Sequence, residues 1–223
     1  MIPVILISAN AEWRAVKELL RPAALEVTPF GESFVQDGAR FMLGGWGKIS
    51  AAASAQYALD HFSPLFLVNL GTCGGFAGRI ERGALLLVER TITYDIFEQM
   101  GDSAAALEQY SVALDTSWLG TLPAAPPLQR GLLLSADRDI FPADIPALIE
   151  KFDARAADWE SSAIAWVAAR NGARALILRG VTDLVSPLGG EAYGDLALFH
   201  SRTRQVMENL LAWWRAWNAE NGR

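Results

Sequence analysis

Runs of β-branched apolar residues alternate along the chain with stretches whose apolar positions recur at helical spacing. IPVILIS is followed by AEWRAVKELL, and RFMLG is followed by KISAAASAQYALDHF. Further along, ESSAIAWVAARNG precedes ALILRGV. Continuous apolar runs indicate strands covered on both faces, and their alternation with helices is typical of α/β proteins. We therefore expect an α/β domain with a largely buried sheet.

Three more apolar runs are predicted to be strands, namely PLFLVNL, GALLLVERTITY and QRGLLLSA. The stretch TLPAAPPLQR is Pro-rich but short, and we interpret it as a surface loop rather than a linker between domains. A chain of 223 residues with 52% hydrophobic content can bury one substantial core. We expect residues 1–223 to form a single domain.

The C-terminal segment from Phe199 predicts an amphipathic helix. Its apolar residues recur at helical spacing, and most have large side chains: Val206, Leu210, Trp213, Trp214 and Trp217. Because bulky aromatic side chains fill cores, we expect this helix to pack on the sheet rather than on a membrane or a partner.

Composition and charge argue against several classes of function. The net charge is −6 and the Lys and Arg residues are scattered, so we expect no binding to nucleic acid or to an anionic membrane. The start MIPVILISANAEW lacks the pattern of a secretion signal, and no apolar run approaches the roughly 20 residues of a membrane span, so we expect a cytoplasmic protein. One cysteine and two histidines, His61 and His200, argue against a disulfide and a zinc site, and we expect no metal, although these counts leave an oxygen-only magnesium site open.

Two Gly-rich stretches raise the question of nucleotide binding. In GGWGKIS and the residues before it, Met42 and Ile49 stand where a Walker A loop needs Gly and a hydroxyl residue, and Ser50 replaces the third glycine of a dinucleotide fingerprint. NAD binding is therefore a weak alternative. In NLGTCGGF, Cys73 has no assigned histidine partner, which favours a packing residue over a nucleophile.

Three stretches in consistent order resemble the nucleoside phosphorylase and nucleosidase superfamily, and most closely the methylthioadenosine/S-adenosylhomocysteine nucleosidases. GGWGKISAAASA is similar to that family's Gly-Ile-Gly-Lys junction, and VNLGTCGGFAGRIERGALLLVE to its Asn-Thr-Gly-Ser-Ala-Gly-Gly segment. ADWESSAIAWVAARNGARALILRGVTDLVS resembles its Asp-Met-Glu helix and the strand that follows. The resemblance reaches about Ser186, although residues 95–130 align poorly. It implies a three-layer α/β sandwich in which helices flank a central, mixed and twisted sheet.

The resemblance assigns roles to two carboxyl groups. Breaking an N-glycosidic bond leaves positive charge on the ribose and negative charge on the base, so a neutral carboxylic acid can protonate the departing base. Asp183 matches the family's acid, and its place just beyond the apolar ALILRGV predicts a raised pKa. Glu160 matches the ribose-binding glutamate. From position alone, Asp183 could instead cap the next element, and Glu160 could be an ordinary first-turn residue.

Glu12 and Thr72 are expected beside the sugar and the attacking water. Glu12 matches the glutamate that orients water in the nucleosidases, the alternative being a surface residue in the first turn of AEWRAVKELL. Thr72 replaces the family's Ser and also supplies a hydroxyl. We interpret NLGTCGGF as a strand-end turn that presents Thr72 and glycine N–H groups, including that of Gly74, to the sugar and its water.

The predicted base pocket departs from the family pattern. The nucleosidases hold the purine with a Ser-Gly-Asp-x-Phe segment, whereas this chain has SADRDIF. Asp137 matches the family's Asp, but Phe141 lies two positions after the place of the family's Phe. Phe141 either stacks on the base or packs within its loop. Trp159 replaces a Met beside the ribose, which changes the space for a 5′-substituent. Buried polar groups read the identity of the base, and an altered base and 5′ pocket would suit a futalosine hydrolase of the same superfamily. Inosine-like and pyrimidine nucleosides are further alternatives.

Asn69 bears on the identity of the nucleophile. Phosphorylases of the superfamily hold phosphate with Arg at this position and the nucleosidases have Asn, so water is favoured unless Arg79 or Arg82 replaces the clamp. We expect a purine nucleosidase without cofactor that hydrolyses a 5′-substituted, adenosine-type nucleoside and forms a homodimer. A phosphate-dependent phosphorylase and a non-catalytic nucleoside-binding protein are the alternatives.

Overall fold

The fold is built on one mixed β-sheet, seen in a computed structural model that describes residues 1–221. Within these residues the sheet has eleven strands: β1 (Val4–Ile7), β2 (Glu26–Thr28), β3 (Gly31–Gln36), β4 (Ala39–Leu43), β5 (Leu67–Phe76), β6 (Leu85–Thr93), β7 (Ser111–Ala113), β8 (Leu128–Ser135), β9 (Ala156–Asp158), β10 (Ala175–Ser186) and β11 (Gly189–Gly190). The same range contains six α-helices: α1 (Asn10–Leu20), α2 (Gly47–Phe62), α3 (Ser103–Gln109), α4 (Ile145–Phe152), α5 (Ser161–Arg170) and α6 (Leu196–Glu220).

Four parallel strands lie side by side in the order β10, β5, β1 and β4. The antiparallel strands β3 and β2 continue the sheet beyond β4. On the other side, β10 pairs with β6, which leads through β8 and β9 back to β5. The pairing of β10 with β5 therefore closes β10, β6, β8, β9 and β5 into a ring.

Helices cover both faces of the sheet. Successive side chains of a strand point to opposite faces, so each strand contributes to the core on both sides. Ile5 and Ile7 of β1 belong to the core cluster that contains α1 and α6. Val4 and Leu6 belong to the cluster that contains α2 and α5. This arrangement confirms the predicted three-layer sandwich with a central mixed sheet.

The C-terminal helix α6 packs on the sheet, as the apolar pattern predicts. It begins at Leu196, three residues before the predicted start at Phe199. Trp213, Trp214 and Trp217 are fully buried against the same core as α1, so their large side chains fill the space between helix and sheet. Among the helices within residues 1–221, none combines the length and the apolar character needed to cross a membrane.

NLGTCGGF is a strand, and the prediction of a strand-end turn is wrong. Residues 69–76 form the last part of β5, which pairs with β10 along its whole length. A Cβ added to Gly74 or Gly75 would lie only 2.7 Å from a neighbouring side chain. The glycines therefore serve the close approach of adjacent elements rather than a change of chain direction.

Candidate active site

A cavity of about 770 Å³ opens at the carboxyl ends of the parallel strands β10, β5, β1 and β4. Ligands of α/β sheets bind in such crevices, and the volume lies within the roughly 300–1,000 Å³ of small-molecule sites. Its acidic lining consists of Glu12, Asp139, Asp158, Glu160, Asp183 and Asp195. Clustered carboxyl groups suit a ligand that presents hydroxyl groups or develops positive charge.

Asp183 reaches the cavity through a β-bulge in β10. Val181 pairs with Cys73 and Asp183 with Gly74, so Thr182 is an extra residue that re-aims the side chain after it. Asp183 is 6% exposed, and its Oδ1 accepts a hydrogen bond from the Thr182 hydroxyl at 2.8 Å. Burial raises the pKa of Asp183 above its ordinary value. This carboxyl group therefore keeps its proton to a higher pH than a surface aspartate does.

Glu12 lies in the first turn of α1 and faces the cavity. Its Oε1 accepts from the N–H and the hydroxyl of Thr72 at 2.6 and 2.8 Å, and its Oε2 accepts from the N–H of Ala9 at 3.2 Å. Glu12 is 3% exposed, so it is not the surface residue of the alternative interpretation. Thr72 holds one oxygen of Glu12 in place with two donors.

Glu160 immediately precedes α5 and joins the starts of two helices. Its Oε1 accepts from the N–H of Gly47, the first residue of α2, at 3.1 Å. Burial, and then the negative charge of Asp158, raise the pKa of Glu160. Trp159 also lines the cavity and stacks on Trp46, with ring centroids 4.6 Å apart.

Arg179 lies beneath this acidic lining, in the strand that the family resemblance covers, but the sequence assigned it no role. It is fully buried: Nη2 donates to Asp158 Oδ2 at 2.7 Å and to Asn69 Oδ1 at 2.5 Å, and Nε donates to Ser161 Oγ at 2.8 Å. Its Nη1 has no hydrogen-bond partner among residues 1–221. A charged residue inside the apolar run ALILRGV was the available signal, because a buried arginine needs carboxylate partners.

Gly71 of β5 lies where Arg179 and Glu12 meet. A Cβ at this position would overlap Arg179 Nη1 and lie 2.9 Å from Glu12 Oε1. We expect Gly71→Ala to destabilise the fold by about 1–3 kcal/mol, the usual cost of overpacking, and to lower any activity that depends on Glu12. Urea unfolding would measure this loss.

Gly101→Ala is the matched control for Gly71→Ala, since Gly101 lies in an exposed loop where the atoms nearest to an added Cβ are 4.0 Å away. An unchanged unfolding midpoint for Gly71→Ala would contradict the close approach of these groups.

The structure does not bring Asp137 and Phe141 to the cavity lining. Asp137 Oδ1 accepts from the N–H of Lys48 at 2.8 Å, which ties this loop to the start of α2. Phe141 is 57% exposed, and the guanidinium of Arg138 lies 5.3 Å from its ring centroid. Ile140 and Arg138 line the cavity instead. Gly74 and Thr72 do lie on the lining, as the sequence led us to expect.

Two aromatic residues of the lining, Tyr193 and Phe199, were missed from the sequence. The Tyr193 hydroxyl donates to the Ile140 carbonyl at 2.6 Å. Burial, followed by the charges of Asp139 and Asp183, raises the pKa of Tyr193 to about 12. Both rings come from the segment after β11, beyond the end of the family resemblance, so no motif marked them.

Cys73 is buried beside β10, and burial raises its pKa. Its Sγ lies 3.7 Å from the Gly180 carbonyl oxygen. A thiol in this state is a poor nucleophile, which agrees with its interpretation as a packing residue. Within residues 1–221, no group of three or more His, Cys, Asp or Glu side chains has an arrangement that could hold a metal ion.

Sequence comparisons identify known proteins that this chain resembles. A family model described as the phosphorylase superfamily matches residues 34–213. The chain is similar to a 5′-methylthioadenosine/S-adenosylhomocysteine nucleosidase of Maridesulfovibrio salexigens, with 28% identity over 175 residues, 73% of this chain and 75% of the relative. The corresponding nucleosidase of Anoxybacillus flavithermus is 26% identical over 194 residues, 78% of this chain and 83% of the relative.

Solved structures share the fold. A mutant 5′-methylthioadenosine nucleosidase of Helicobacter pylori, with 5′-methylthioadenosine in its active site, has a TM-score of 0.77 at 15% identity, and the match covers 96% of this chain and 97% of the other. The native futalosine hydrolase of Helicobacter pylori has a TM-score of 0.78 at 16% identity, covering 95% and 96%. Two differently named enzymes thus match equally well, and fold alone does not distinguish their substrates.

Proposed function

Since this chain belongs to the phosphorylase superfamily, we propose that it is a nucleosidase, an enzyme that hydrolyses the N-glycosidic bond of a 5′-substituted, adenosine-type purine nucleoside. The observation that carries the proposal is the convergence of three buried carboxyl groups, Asp183, Glu12 and Glu160, on one cavity from three separate parts of the chain. Bond cleavage of this kind needs an acid at the base and negative charge near the ribose.

Asp183 acts as the general acid in this proposal. As the bond between C1′ and the base stretches, the electron pair moves to the base, and Asp183 donates its proton there. The raised pKa that burial gives Asp183 keeps the proton available for this step. The carboxylate that forms is met by the Thr182 hydroxyl, which donates to Oδ1.

Glu160 and Glu12 act on the other side of the bond. Glu160 binds ribose hydroxyl groups, and the negative charge of the acidic lining favours the cation that develops on the sugar. Glu12, fixed by Thr72 and Ala9, orients a water molecule and accepts its proton as the oxygen bonds to C1′. Free base and free sugar leave the site.

Water is favoured over phosphate as the nucleophile. Arg79 is paired with Asp153, and Arg82 with Glu191 at 2.9 Å. Neither arginine lines the cavity, so neither is placed to hold phosphate there. The carboxylate of Glu12 would also repel a phosphate anion bound beside it.

A futalosine-type nucleoside is the second candidate substrate. The observation that favours it is the loop 135–141, which places Ile140 and Asp139 on the lining while Phe141 is turned away. Such a change alters the groups that read the base.

We further propose that residues 1–223 act as one domain, that the protein is cytoplasmic and that it forms a homodimer. The family resemblance supports the dimer, as do the exposed apolar side chains of Phe97 and Met100. A monodisperse monomer in light scattering would overturn the dimer.

The direct test is chromatographic detection of free base after incubation with methylthioadenosine, S-adenosylhomocysteine, futalosine, adenosine and inosine, each with and without phosphate. The proposal expects base release that does not depend on phosphate. Release only with phosphate would identify a phosphorylase. Binding without any release would identify a nucleoside-binding protein.

Glu12→Gln is expected to lower kcat by about a hundredfold, the lower end of the roughly 10²–10⁴ contributed by general acid–base groups. The amide keeps the shape of the side chain but cannot accept the proton of water. Glu18→Gln on the same helix is the control, because the Glu18 side chain is 55% exposed. A kcat within threefold of wild type would remove Glu12 from this role.

A further inference from the structure

Trp46 and Trp159 form a stacked pair on the cavity lining. Their ring centroids are 4.6 Å apart and their planes differ by 24°. Trp46 is 64% exposed, although it is the first residue before α2 and packs on a second indole. The motifs that this chain resembles have Ile and Met at these two positions, so two large aromatic side chains have replaced aliphatic ones side by side.

Strand order places Trp46 three strands away from Asp183, and Trp159 lies beside Trp46 because the two rings stack. Asp183 belongs to β10, whereas Trp46 follows β4, and the parallel strands between them are β5 and β1. Three spacings of about 4.8 Å separate these outer strands by about 14 Å. A base protonated by Asp183 therefore lies at the β10 end, and the remainder of the nucleoside extends toward β4.

Glu160 links the tryptophan pair to the sugar. It follows Trp159 directly, and its Oε1 accepts from the N–H of Gly47, the residue after Trp46. A ribose bound to Glu160 consequently has both indoles as neighbours on the side away from the base. The substituent on C5′ is the group that can extend beyond the ribose to the indoles, because C4′, which carries the 5′ carbon, lies across the ring oxygen from C1′.

We propose that the Trp46–Trp159 pair binds an aromatic 5′-substituent, so that the preferred substrates are nucleosides whose 5′ carbon carries an aryl group. This rests on the proposed function, since the pair lies at the 5′ end only if Asp183 marks the base. An exposed indole face favours a planar aromatic partner through offset stacking, in addition to the apolar area that any substituent buries. A small 5′-methylthio group would cover little of that face.

The test compares 5′-deoxy-5′-(phenylthio)adenosine with methylthioadenosine. For the wild-type protein we expect kcat/KM to be about tenfold higher with the phenylthio compound. Trp46→Leu should abolish most of this ratio, and Trp46→Phe should preserve most of it because a ring remains. Ile49→Ala is the control, since Ile49 is 84% exposed in the first turn of α2 and does not line the cavity.

Calorimetric binding to an Asp183→Asn protein separates this inference from the proposed function, because it needs no turnover. The inference is supported if this protein binds the phenylthio compound more tightly than methylthioadenosine and if adding Trp159→Met removes that preference. This result counts even if no base is released. A ratio of one in the wild-type protein, or a ratio unaffected by Trp46→Leu, overturns the inference. The inference also fails if Trp46→Leu changes only the sedimentation of the protein, since the indole then serves a subunit contact.

Discussion

Asp183→Asn is expected to lower kcat by about 100- to 10,000-fold while substrate affinity stays close to that of the wild-type protein. Asparagine fills the same buried volume at the bulge of β10 and still accepts from the Thr182 hydroxyl, but it has no acidic proton to give to the departing base. Single-turnover base release would measure the chemical step, and calorimetry would measure affinity.

The control for this variant is Asp60→Asn, because Asp60 is an exposed residue of α2 that interacts with Gln56 one turn earlier. Near-native turnover by Asp183→Asn would contradict the acid assignment. Loss of binding together with turnover would show that Asp183 holds the substrate rather than protonating it.

The pH dependence of the reaction is a second test of the role of Asp183. Burial raises the pKa of Asp183, and the acid acts only while protonated, so kcat should fall as the pH rises through that pKa. The folded protein also binds this proton at pH values where the unfolded chain has released it. Stability therefore falls as pH rises from the ordinary aspartate pKa toward the raised one, and Asp183→Asn should remove both dependences.

Arg179→Met is expected to destabilise the protein by about 3–5 kcal/mol, the cost of leaving buried carboxylates without their cation. Arg179 is fully buried, and its guanidinium is bound to Asp158, Asn69 and Ser161. Its charge is also felt by Glu160, whose pKa it lowers against the opposing effect of burial. Urea unfolding at neutral pH would measure the loss.

Two comparisons make the Arg179 result specific. Arg14→Met removes an exposed arginine of α1 and should change stability by less than about 0.5 kcal/mol. The Arg179→Met protein should regain stability as the pH falls, since protonation neutralises the carboxyl groups left without a cation. A loss below about 1 kcal/mol that does not vary with pH would contradict the charge compensation described for this arginine.

Much of the framework could be predicted because its strands are continuous apolar runs and its helices have amphipathic periodicity. β9 (Ala156–Asp158) could not, since three short residues become a strand only through pairing with β5 and β8. The edge strand β2 is likewise short, and β3 beside it is partly exposed. The Gly-rich end of β5 suggested a turn because local sequence does not show that Arg179 and Ile140 occupy the space beside Gly71 and Gly74.

The candidate site divides in a similar way. Asp183, Glu12 and Glu160 carry motif neighbours, so the resemblance identified them and the cavity brings them together. Tyr193 and Phe199 come from a segment without a motif, and their place on the lining depends on how that segment folds back over β10. Sequence spacing alone does not show that this segment folds back to the cavity.

The ring of five strands has a consequence for how the chain acquires its fold during synthesis. β5 ends at Phe76, but its partner β10 begins only at Ala175, so the two strands that carry Thr72 and Asp183 meet across about half of the chain. Until β10 has left the ribosome, the glycine-rich edge of β5 is unpaired and open to other strands. Contacts between such distant segments form slowly, and the cavity with the candidate site is therefore among the last parts of the protein to assemble.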